Sequence, residues 1–240
     1  MRIAIVSDVH GNLTALEAVV ADLKRCAPDV LFHGGDLAHG GGRPAEVIDR
    51  IRELGWAGVR GNTDEMLWAP EALRKFAAGL PGLQDTFAAI EEMIPRTCEW
   101  FGEERLGWLK TLPLVQRHGL LALVHAKPND LWRAPLPEAG DGELQDAYQA
   151  LNAGTVVYAH IHQSYVRELP GMTVANTGSV SLSYDGDTRA SYLIVDEGKP
   201  VIRRVEYDLD REMDVLRHCG LPHAEWIGRT LRAGRYVPRA

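Results

Sequence analysis

Positive charge is in deficit along this chain. Lys and Arg number 26 against 33 Asp and Glu, which gives a formal net charge of −7. Proteins that bind duplex nucleic acid carry a basic surface that neutralises phosphates, so the composition argues against that class. An acidic protein can still bind phosphate groups where metal ions supply the positive charge locally. The balance therefore favours small substrates over polynucleotides.

Cysteines and long apolar runs are scarce as well. The three cysteines show no CxxC spacing, so we expect reduced thiols rather than a disulfide framework or a zinc knuckle. The apolar run at residues 3–6 is too short for a signal peptide, and no stretch approaches the roughly 20 apolar residues of a membrane span. These absences predict a cytoplasmic protein without a membrane partner.

A repeated strand–helix pattern fills the first 64 residues. Short apolar runs predict strands at residues 3–6, 30–32 and 57–59. Apolar residues at helical spacing predict a helix after each of the first two strands. Ligands of an open α/β sheet bind beyond the carboxyl ends of parallel strands. Because Asp8, Asp36 and Asn62 stand at three such ends, we expect them to converge in space.

The remainder divides into helical and extended parts. Residues 65–113 read as helical, with breaks expected at Pro70, Pro81 and Pro95 and with tryptophans more typical of a core than of a binding surface. Buried strands are expected at residues 120–124 and 155–159. Short β runs between residues 165 and 207 predict a second, largely antiparallel sheet.

The expected organisation is one domain. It covers residues 1–240, with the helical segment 65–113 inserted between core strands and a C-terminal extension at 208–240. Within that extension a helix is predicted over residues 211–218, followed by a polar tail.

Polar side chains follow five of the predicted strands. The set comprises two carboxylates, one amide and four imidazoles: Asp8, His10, Asp36, Asn62, His125, His160 and His162. Such donors suit manganese, iron, nickel or zinc. Seven side chains exceed what one ion usually takes from a protein, whereas two ions about 3.5–4 Å apart would use them all, with one carboxylate bridging.

Each of these residues also has an ordinary interpretation when taken alone. Asp8 can cap a helix, His10 can be a loop histidine, and Gly61-Asn62 is a frequent turn dipeptide. The ordinary interpretations would have to hold independently at seven positions. The ordered set therefore favours a metal site.

The ordered motifs resemble those of the calcineurin-like metallophosphoesterases. They are Asp8-x-His10, Gly34-Gly35-Asp36, Gly61-Asn62-x-Asp64, a strand ending in His125, and His160-x-His162. The later run 176–180, with Tyr184-Asp185-Gly186-Asp187 after it, is similar to the bacterial and archaeal phosphodiesterase branch, and the resemblance spans about residues 1 to 210. It implies an α/β (α+β) fold, a four-layer αββα sandwich of two mixed β-sheets flanked by helices.

The resemblance also implies a ligand set and a cofactor. One site would use Asp8, His10, Asp36 and His162. The other would use Asp36, Asn62, His125 and His160, so that Asp36 bridges. Two divalent or trivalent ions are expected, manganese first and iron, nickel or zinc as alternatives. Metal binding lowers the pKa of water from 15.7 to about 7, so no separate protein base is needed.

Roles in catalysis and binding follow from the same resemblance. The expected catalytic residues are Asp36, Asn62, His125 and His160, and the expected substrate-binding residues are Asn62, His125 and His39. His39 is included for its position rather than for the resemblance, because it stands three residues after Asp36 on a glycine-rich loop, and it stays open as an alternative acid. Asp64 is expected to orient a ligand, and Lys127 to be solvated.

The sequence departs from the family pattern at Thr63, where many members carry a histidine. Threonine can donate a hydrogen bond but cannot shuttle a proton near neutral pH. Hydrolysis of phosphodiesters of small substrates is therefore preferred over a phosphomonoesterase acting on phosphoproteins or nucleotides.

Three alternatives to that activity stay open on the same scaffold. They are the phosphatase, a metal-free scaffold protein and a nuclease. A nucleic-acid or membrane partner is not expected, a small phosphoester is, and self-association into a homo-oligomer stays open. All seven family positions are filled, which favours an enzyme over a scaffold.

Overall fold

Ten strands and eight α-helices form the part of the chain, residues 1–239, that the computed structural model describes. The strands are β1 Arg2–Val6, β2 Val30–His33, β3 Ala57–Gly58, β4 Val115–His118, β5 Leu121–Val124, β6 Thr155–Tyr158, β7 Tyr165–Leu169, β8 Met172–Asn176, β9 Ala190–Asp196 and β10 Lys199–Val205. The helices are α1 Leu13–Cys26, α2 Pro44–Glu53, α3 Asn62–Glu65, α4 Pro70–Ala77, α5 Gln84–Thr111, α6 Asp141–Tyr148, α7 Leu209–His218 and α8 Ala224–Ala233.

The strands form two five-stranded mixed sheets. The first has the order β10-β9-β1-β2-β3, with β1, β2 and β3 parallel and β9 antiparallel to β1. The second has the order β4-β5-β6-β8-β7, with β5, β6 and β8 parallel. The ends of the parallel strands supply the loops discussed below.

Strand β1 shows how the sheets are layered. Successive side chains of a strand point to opposite faces. Ile3 and Ile5 pack in a core that includes Leu123 and Val157 of the second sheet, so the two sheets face each other. Ala4 and its neighbours on the other face pack against α1, α2 and α5. A third cluster joins the outer face of the second sheet to α6. The expected four-layer αββα sandwich is confirmed.

Helix α1 begins where the sequence places a cap. The side-chain oxygen of Asn12 accepts a hydrogen bond from the backbone N–H of Ala15 at 2.9 Å, which satisfies one of the free donors of the first turn. The chain thus turns from strand to helix within a few residues of Asp8.

The expectation of a separate antiparallel sheet after residue 165 is wrong. β7 and β8 extend the second sheet, and β9 and β10 join the first, on the edge of β1. A sequence pattern predicts where strands form. Which strands pair with each other depends on which faces can be buried together. Strand β4, which was not predicted, covers the other edge of the second sheet.

Helix α5 runs through Pro95, where a break was expected. The break lies instead at Gly102, whose φ of 72° and ψ of 166° leave helical geometry. Glycine adopts positive φ without a steric penalty, and the neighbours of Pro95 at Ile94 and Thr97 are buried. The expected breaks at Pro70 and Pro81 coincide with helix starts. The tryptophans Trp68, Trp100 and Trp108 are half-buried against the apolar clusters.

The expected polar tail contains helix α8. Its buried residues, Trp226, Ile227 and Leu231 among them, pack against α5 and α7. This amphipathic helix was not predicted, because the four arginines from 229 onwards raise the average polarity of the stretch. The expected extension 208–240 ends one residue outside the described range. Within residues 1–239 no helix is both long and apolar enough to cross a membrane.

Truncation of Ile5 to Ala is expected to lower the free energy of unfolding by about 2–5 kcal/mol, because it opens a cavity between the two sheets. Ile5 is 0% exposed. Leu120→Ala is the control, since Leu120 is 76% exposed and surface changes stay within about 0.5 kcal/mol. Urea unfolding of both variants measures the difference, and equal losses would contradict the inter-sheet position of Ile5.

Candidate metal centre

The seven ligand candidates lie together, in loops that follow parallel strands of the two sheets. Those strands are β1, β2 and β3 of the first sheet and β5 and β6 of the second, and the residues are Asp8, His10, Asp36, Asn62, His125, His160 and His162. Six of them are buried and His160 is half-buried. They form two groups that share Asp36.

The first group contains Asp8, His10, Asp36 and His162. One ligand atom from each lies within 4.8 Å of all the others. His162 Nε2 is 3.2 Å from His10 Nε2 and 3.2 Å from Asp8 Oδ1. Two carboxylates and two imidazoles at this spacing can hold one transition-metal ion.

The second group is arranged around the side chain of Asn62. Its Oδ1 lies 2.8 Å from His125 Nε2 and 2.9 Å from His160 Nδ1. Asp36 Oδ1 lies 3.5 Å from His125 Nε2, whereas Asp36 Oδ2 lies 3.8 Å from His10 Nε2. Asp36 therefore turns one oxygen toward each group.

Hydrogen bonds to backbone carbonyls fix the tautomers of three histidines. A carbonyl only accepts, so the Nδ1 that faces it carries the proton and Nε2 keeps a lone pair. The pairs are His10 with His39 O at 2.7 Å, His162 with Leu182 O at 2.6 Å, and His125 with Gly34 O at 2.8 Å. All three Nε2 atoms face other acceptors, which is the arrangement of metal-binding histidines.

The pKa values of Asp8, His10 and His160 match this ligand role. The pKa of His162 differs, because burial, which lowers it, is outweighed by the charge and hydrogen bond of Asp8 and by the charge of Asp36, so that this pKa is raised. Burial acts to raise the pKa of Asp8, but the charge and hydrogen bond of His162, together with the charges of His125 and His10, outweigh it and lower that pKa to about 2. Burial, followed by the charge of His125, lowers the pKa of His160 to about 4. Burial likewise lowers the pKa of His10. An ionised carboxylate and neutral imidazoles are the forms that bind metals.

Backbone strain concentrates at the same residues. Nine non-glycine residues of the described chain have positive φ, and five of them are ligand candidates: Asp8, His10, Asp36, His160 and His162, with φ between 46° and 70°. Asp and His tolerate this region better than most residues, yet each instance costs of order 1–3 kcal/mol. The tight loops aim each side chain toward the shared centre.

Asp64 holds the loop that carries Asp36. Its carboxylate accepts the backbone N–H groups of Asp36 at 2.8 Å, Leu37 at 3.0 Å and Gly61 at 2.9 Å. It makes no contact with the cavity and is 0% exposed. Its contacts match the orienting role expected from the sequence.

The sequence did not single out several residues that support the site. Ser7 Oγ donates to Asp8 Oδ2 at 2.6 Å and contacts Thr177 Oγ1 at 2.6 Å. Ser179 Oγ donates to the backbone oxygen of Asp8 at 2.8 Å, and Tyr184 stacks on His162 with ring centroids 4.6 Å apart. The family-like runs 176–180 and 184–187 were the signals for this support, and they gave no partners.

Of the other residues singled out from the sequence, His39 and Thr63 line the adjoining cavity, whereas Lys127 does not. His39 is 2% exposed in the wall of the adjoining cavity, and burial lowers its pKa to about 3. It is therefore neutral near pH 7, and the N–H of a neutral imidazole is too weak an acid to protonate a leaving group. Thr63 lines the same cavity, and Lys127 pairs with Asp130 outside it at 3.7 Å.

Comparison with known proteins identifies the family of the chain. Residues 1–199 match the calcineurin-like phosphoesterase superfamily domain, and the chain belongs to that family. The family is metal-dependent, and family and neighbours together indicate a phosphoesterase hydrolase.

Relatives extend the similarity to nearly the whole chain. The chain is 30% identical over 257 positions to protein MJ0912 of Methanocaldococcus jannaschii, with 97% of this chain and 98% of that protein covered. It is 27% identical to the crystal structure of a metallophosphoesterase from Sphaerobacter thermophilus, with a TM-score of 0.77 over 98% and 100% of the chains. It is 35% identical over 156 residues to the symmetrical bis(5'-nucleosyl)-tetraphosphatase of Methylococcus capsulatus, over 62% of this chain and 51% of that enzyme.

Gly61→Ala is expected to lower metal affinity by about 10–100-fold, the usual effect of disturbing the support of a metal ligand. A Cβ at Gly61 would overlap Asp36 Oδ1. Gly107→Ala is the control, because nothing lies within 4 Å of its added Cβ. Calorimetric titration of the metal-free proteins with Mn²⁺ measures both, and unchanged affinity in G61A would show that the Asp36 carboxylate is not held as described.

Proposed function

We propose that this chain is a phosphodiesterase for small substrates that works with two metal ions, held by the two ligand groups that share Asp36. The observation that carries the proposal is the orientation of Asp36, whose two oxygens face His10 and His125 at 3.8 and 3.5 Å. A carboxylate between two ions adopts this arrangement. Manganese is proposed first, since the oxygen and imidazole donors suit it.

The donor set fits such ions on its own chemistry. Two lone pairs meet where His10 Nε2 and His162 Nε2 lie 3.2 Å apart. Asp8 Oδ1 is buried and has no hydrogen-bond donor among the described residues. Acceptors crowded in this way repel one another unless a positive charge lies between them.

The chemistry that the bound ions would supply is neutralisation of phosphoryl oxygens and a water ionised near neutral pH. The protein's own groups set the geometry. Asn62 and His125 hold the second group in place, and half-buried His160 lies beside the cavity where the phosphate would bind. Thr63 Oγ1 is buried without a partner in the described chain, so it is free to donate to an ester oxygen.

The lack of a proton donor supports the diester preference. Thr63 cannot give up a proton near neutral pH, and His39 is neutral there. An enzyme without a general acid needs a leaving group that departs as a stable anion. Aryl diesters meet this requirement better than alkyl monoesters.

A dinucleoside tetraphosphate is the second candidate substrate. It is favoured by the 35% identity to the Methylococcus capsulatus enzyme, which covers half of that protein. We also propose a cytoplasmic location, supported by the three free cysteines.

Asp36→Asn is expected to reduce both metal content and hydrolysis of bis(p-nitrophenyl) phosphate. An amide binds metal weakly and carries no charge to share between two ions, so the loss should exceed the 10–100-fold of a supporting residue. Elemental analysis and initial rates are measured on the same preparation. Asp146→Asn, on the exposed face of α6, should leave both unchanged. Full activity with two metals retained in D36N would refute the bridging role.

Thr63→His is expected to raise kcat on phenyl phosphate, a monoester, by about tenfold, since a histidine there can protonate the leaving oxygen. General acids contribute about 10²–10⁴-fold in well-placed sites, and a grafted one should recover only part. Thr63→Gln, which matches the size but cannot transfer a proton, should give no gain. Equal kcat in the two variants would show that proton donation does not limit this reaction.

A further inference from the structure

A cavity of about 260 Å³ opens directly on the candidate ligands. Part of its wall consists of His10, Asp36, Asn62, His160 and His162. A phosphate bound at the metal centre would therefore direct one of its ester groups into this space. The chemistry of the remaining wall bears on which ester group fits.

The remaining wall is mostly apolar and comes from outside the two sheets. Helices α4, α5 and α8, the loop after β5 and the segment after α8 contribute large side chains, including Phe76, Phe87, Ile90, Trp132, Ile227 and Tyr236. Phe76 lies edge-on to Phe87 with ring centroids 5.6 Å apart, and 5.3 Å from the ring of Trp132. Aromatic groups in these arrangements offer edges and faces for another ring.

Positive side chains are missing from this wall. Among residues 1–239, the cavity is lined by no Lys or Arg, and Asp36 is its only carboxylate. Arg60, Lys75 and Arg133 lie instead in a neighbouring depression, separated from the cavity by Phe76 and Trp132. A phosphate chain that entered the cavity would lose its hydration and gain no charged partner beyond the metal ions.

The size of the cavity limits the group further. Drug-sized ligands occupy pockets of about 300–1,000 Å³, and an apolar cavity of about 150 Å³ holds a benzene ring. One ring, or two fused rings, fits the observed volume, whereas two nucleosides do not.

A second buried hydroxyl in the wall, besides that of Thr63 at the metal centre, lacks a partner. Thr230 Oγ1, on α8, is in a residue that is 2% exposed, and no donor or acceptor of the described chain reaches it. Buried polar atoms are nearly always paired. A ring that carries one uncharged hydrogen-bonding substituent would give this hydroxyl the partner that it lacks.

We propose that the cavity binds the organic group of the substrate, and that this group is an uncharged aromatic ring rather than a nucleoside polyphosphate. The inference rests on the proposed phosphodiesterase function and specifies its substrate class. It assigns specificity to the helical segment and to α8, and it disfavours the tetraphosphate candidate.

The first test compares diesters that share a leaving group. Bis(p-nitrophenyl) phosphate and methyl p-nitrophenyl phosphate carry the same charge and release the same phenolate, so their ratio of kcat/KM reports the second ester group alone. We expect at least a tenfold preference for the bis-aryl ester and no faster turnover of diadenosine tetraphosphate. Equal values, or a preference for the tetraphosphate, would overturn the inference and leave the hydrolase intact.

The second test measures binding without turnover. Trp132 and Trp226 line the cavity, so their fluorescence reports its occupation. Phenylphosphonate, which is not hydrolysed, should bind the Mn²⁺-loaded protein at least tenfold more tightly than methylphosphonate. Equal affinities would overturn the inference. If the Mn²⁺-loaded protein hydrolyses none of the diesters, the proposed function fails, and the fluorescence titration shows separately whether the cavity selects rings.

Variants of Phe87 test whether the preference for a bis-aryl ester arises at this wall of the cavity. Phe87 is half-buried, and Phe87→Ala should reduce the bis-aryl to methyl ratio about tenfold, while Phe87→Leu should retain most of it. The ratio does not depend on how much of the protein is folded. Leu120→Ala, on the exposed surface, should leave it unchanged. An unaltered ratio in F87A would contradict the assignment of the ring to this wall.

Discussion

Crowding of electron pairs at one edge of the sandwich is the constraint on which the rest of the structure depends. Four imidazoles, two carboxylates and an amide oxygen meet there. In three of the imidazoles the proton is on Nδ1, which leaves a lone pair on Nε2. Left alone, such a cluster opposes folding, because buried acceptors without donors cost free energy. A pair of cations would convert the same contacts from a cost into a source of stability.

The fold holds this cluster in place before any ion binds. Asp8 and Asp36 have left-handed backbone, and three N–H bonds to Asp64 fix the loop that carries Asp36 against the loop at Gly61. Gly61 allows Asp36 to approach the neighbouring loop closely. Strain at these positions is offset by the apolar core between the sheets, where Ile5 and its neighbours are fully buried. The stability of the packed layers therefore keeps the loops in their strained conformation.

The sequence predicted the parts that are determined locally or by the order of the motifs. β1 was predictable because Ile3 to Val6 form an apolar run and Asn12 caps the helix that follows. The addition of β9 to the edge of β1, and of β10 to β9, was not predictable, since their patterns are equally compatible with a separate sheet. Helix α8 was not predicted, because nearby arginines raise the average polarity of the stretch that contains Trp226 and Ile227. The orientation of Asp36 was expected only by resemblance, and the structure supplies the distances.

The cavity could not have been predicted, and the reason is physical. Its walls join Phe87 on α5 to Ile227 on α8, which are far apart in sequence and meet only through tertiary packing. No periodicity within either helix reveals which face lines a space and which fills a core. The ligand cluster, by contrast, follows from strand ends that converge in any sheet of this topology. The candidate metal site thus depends on strand ends, whereas the substrate selectivity that we propose depends on how α4, α5 and α8 pack around the cavity.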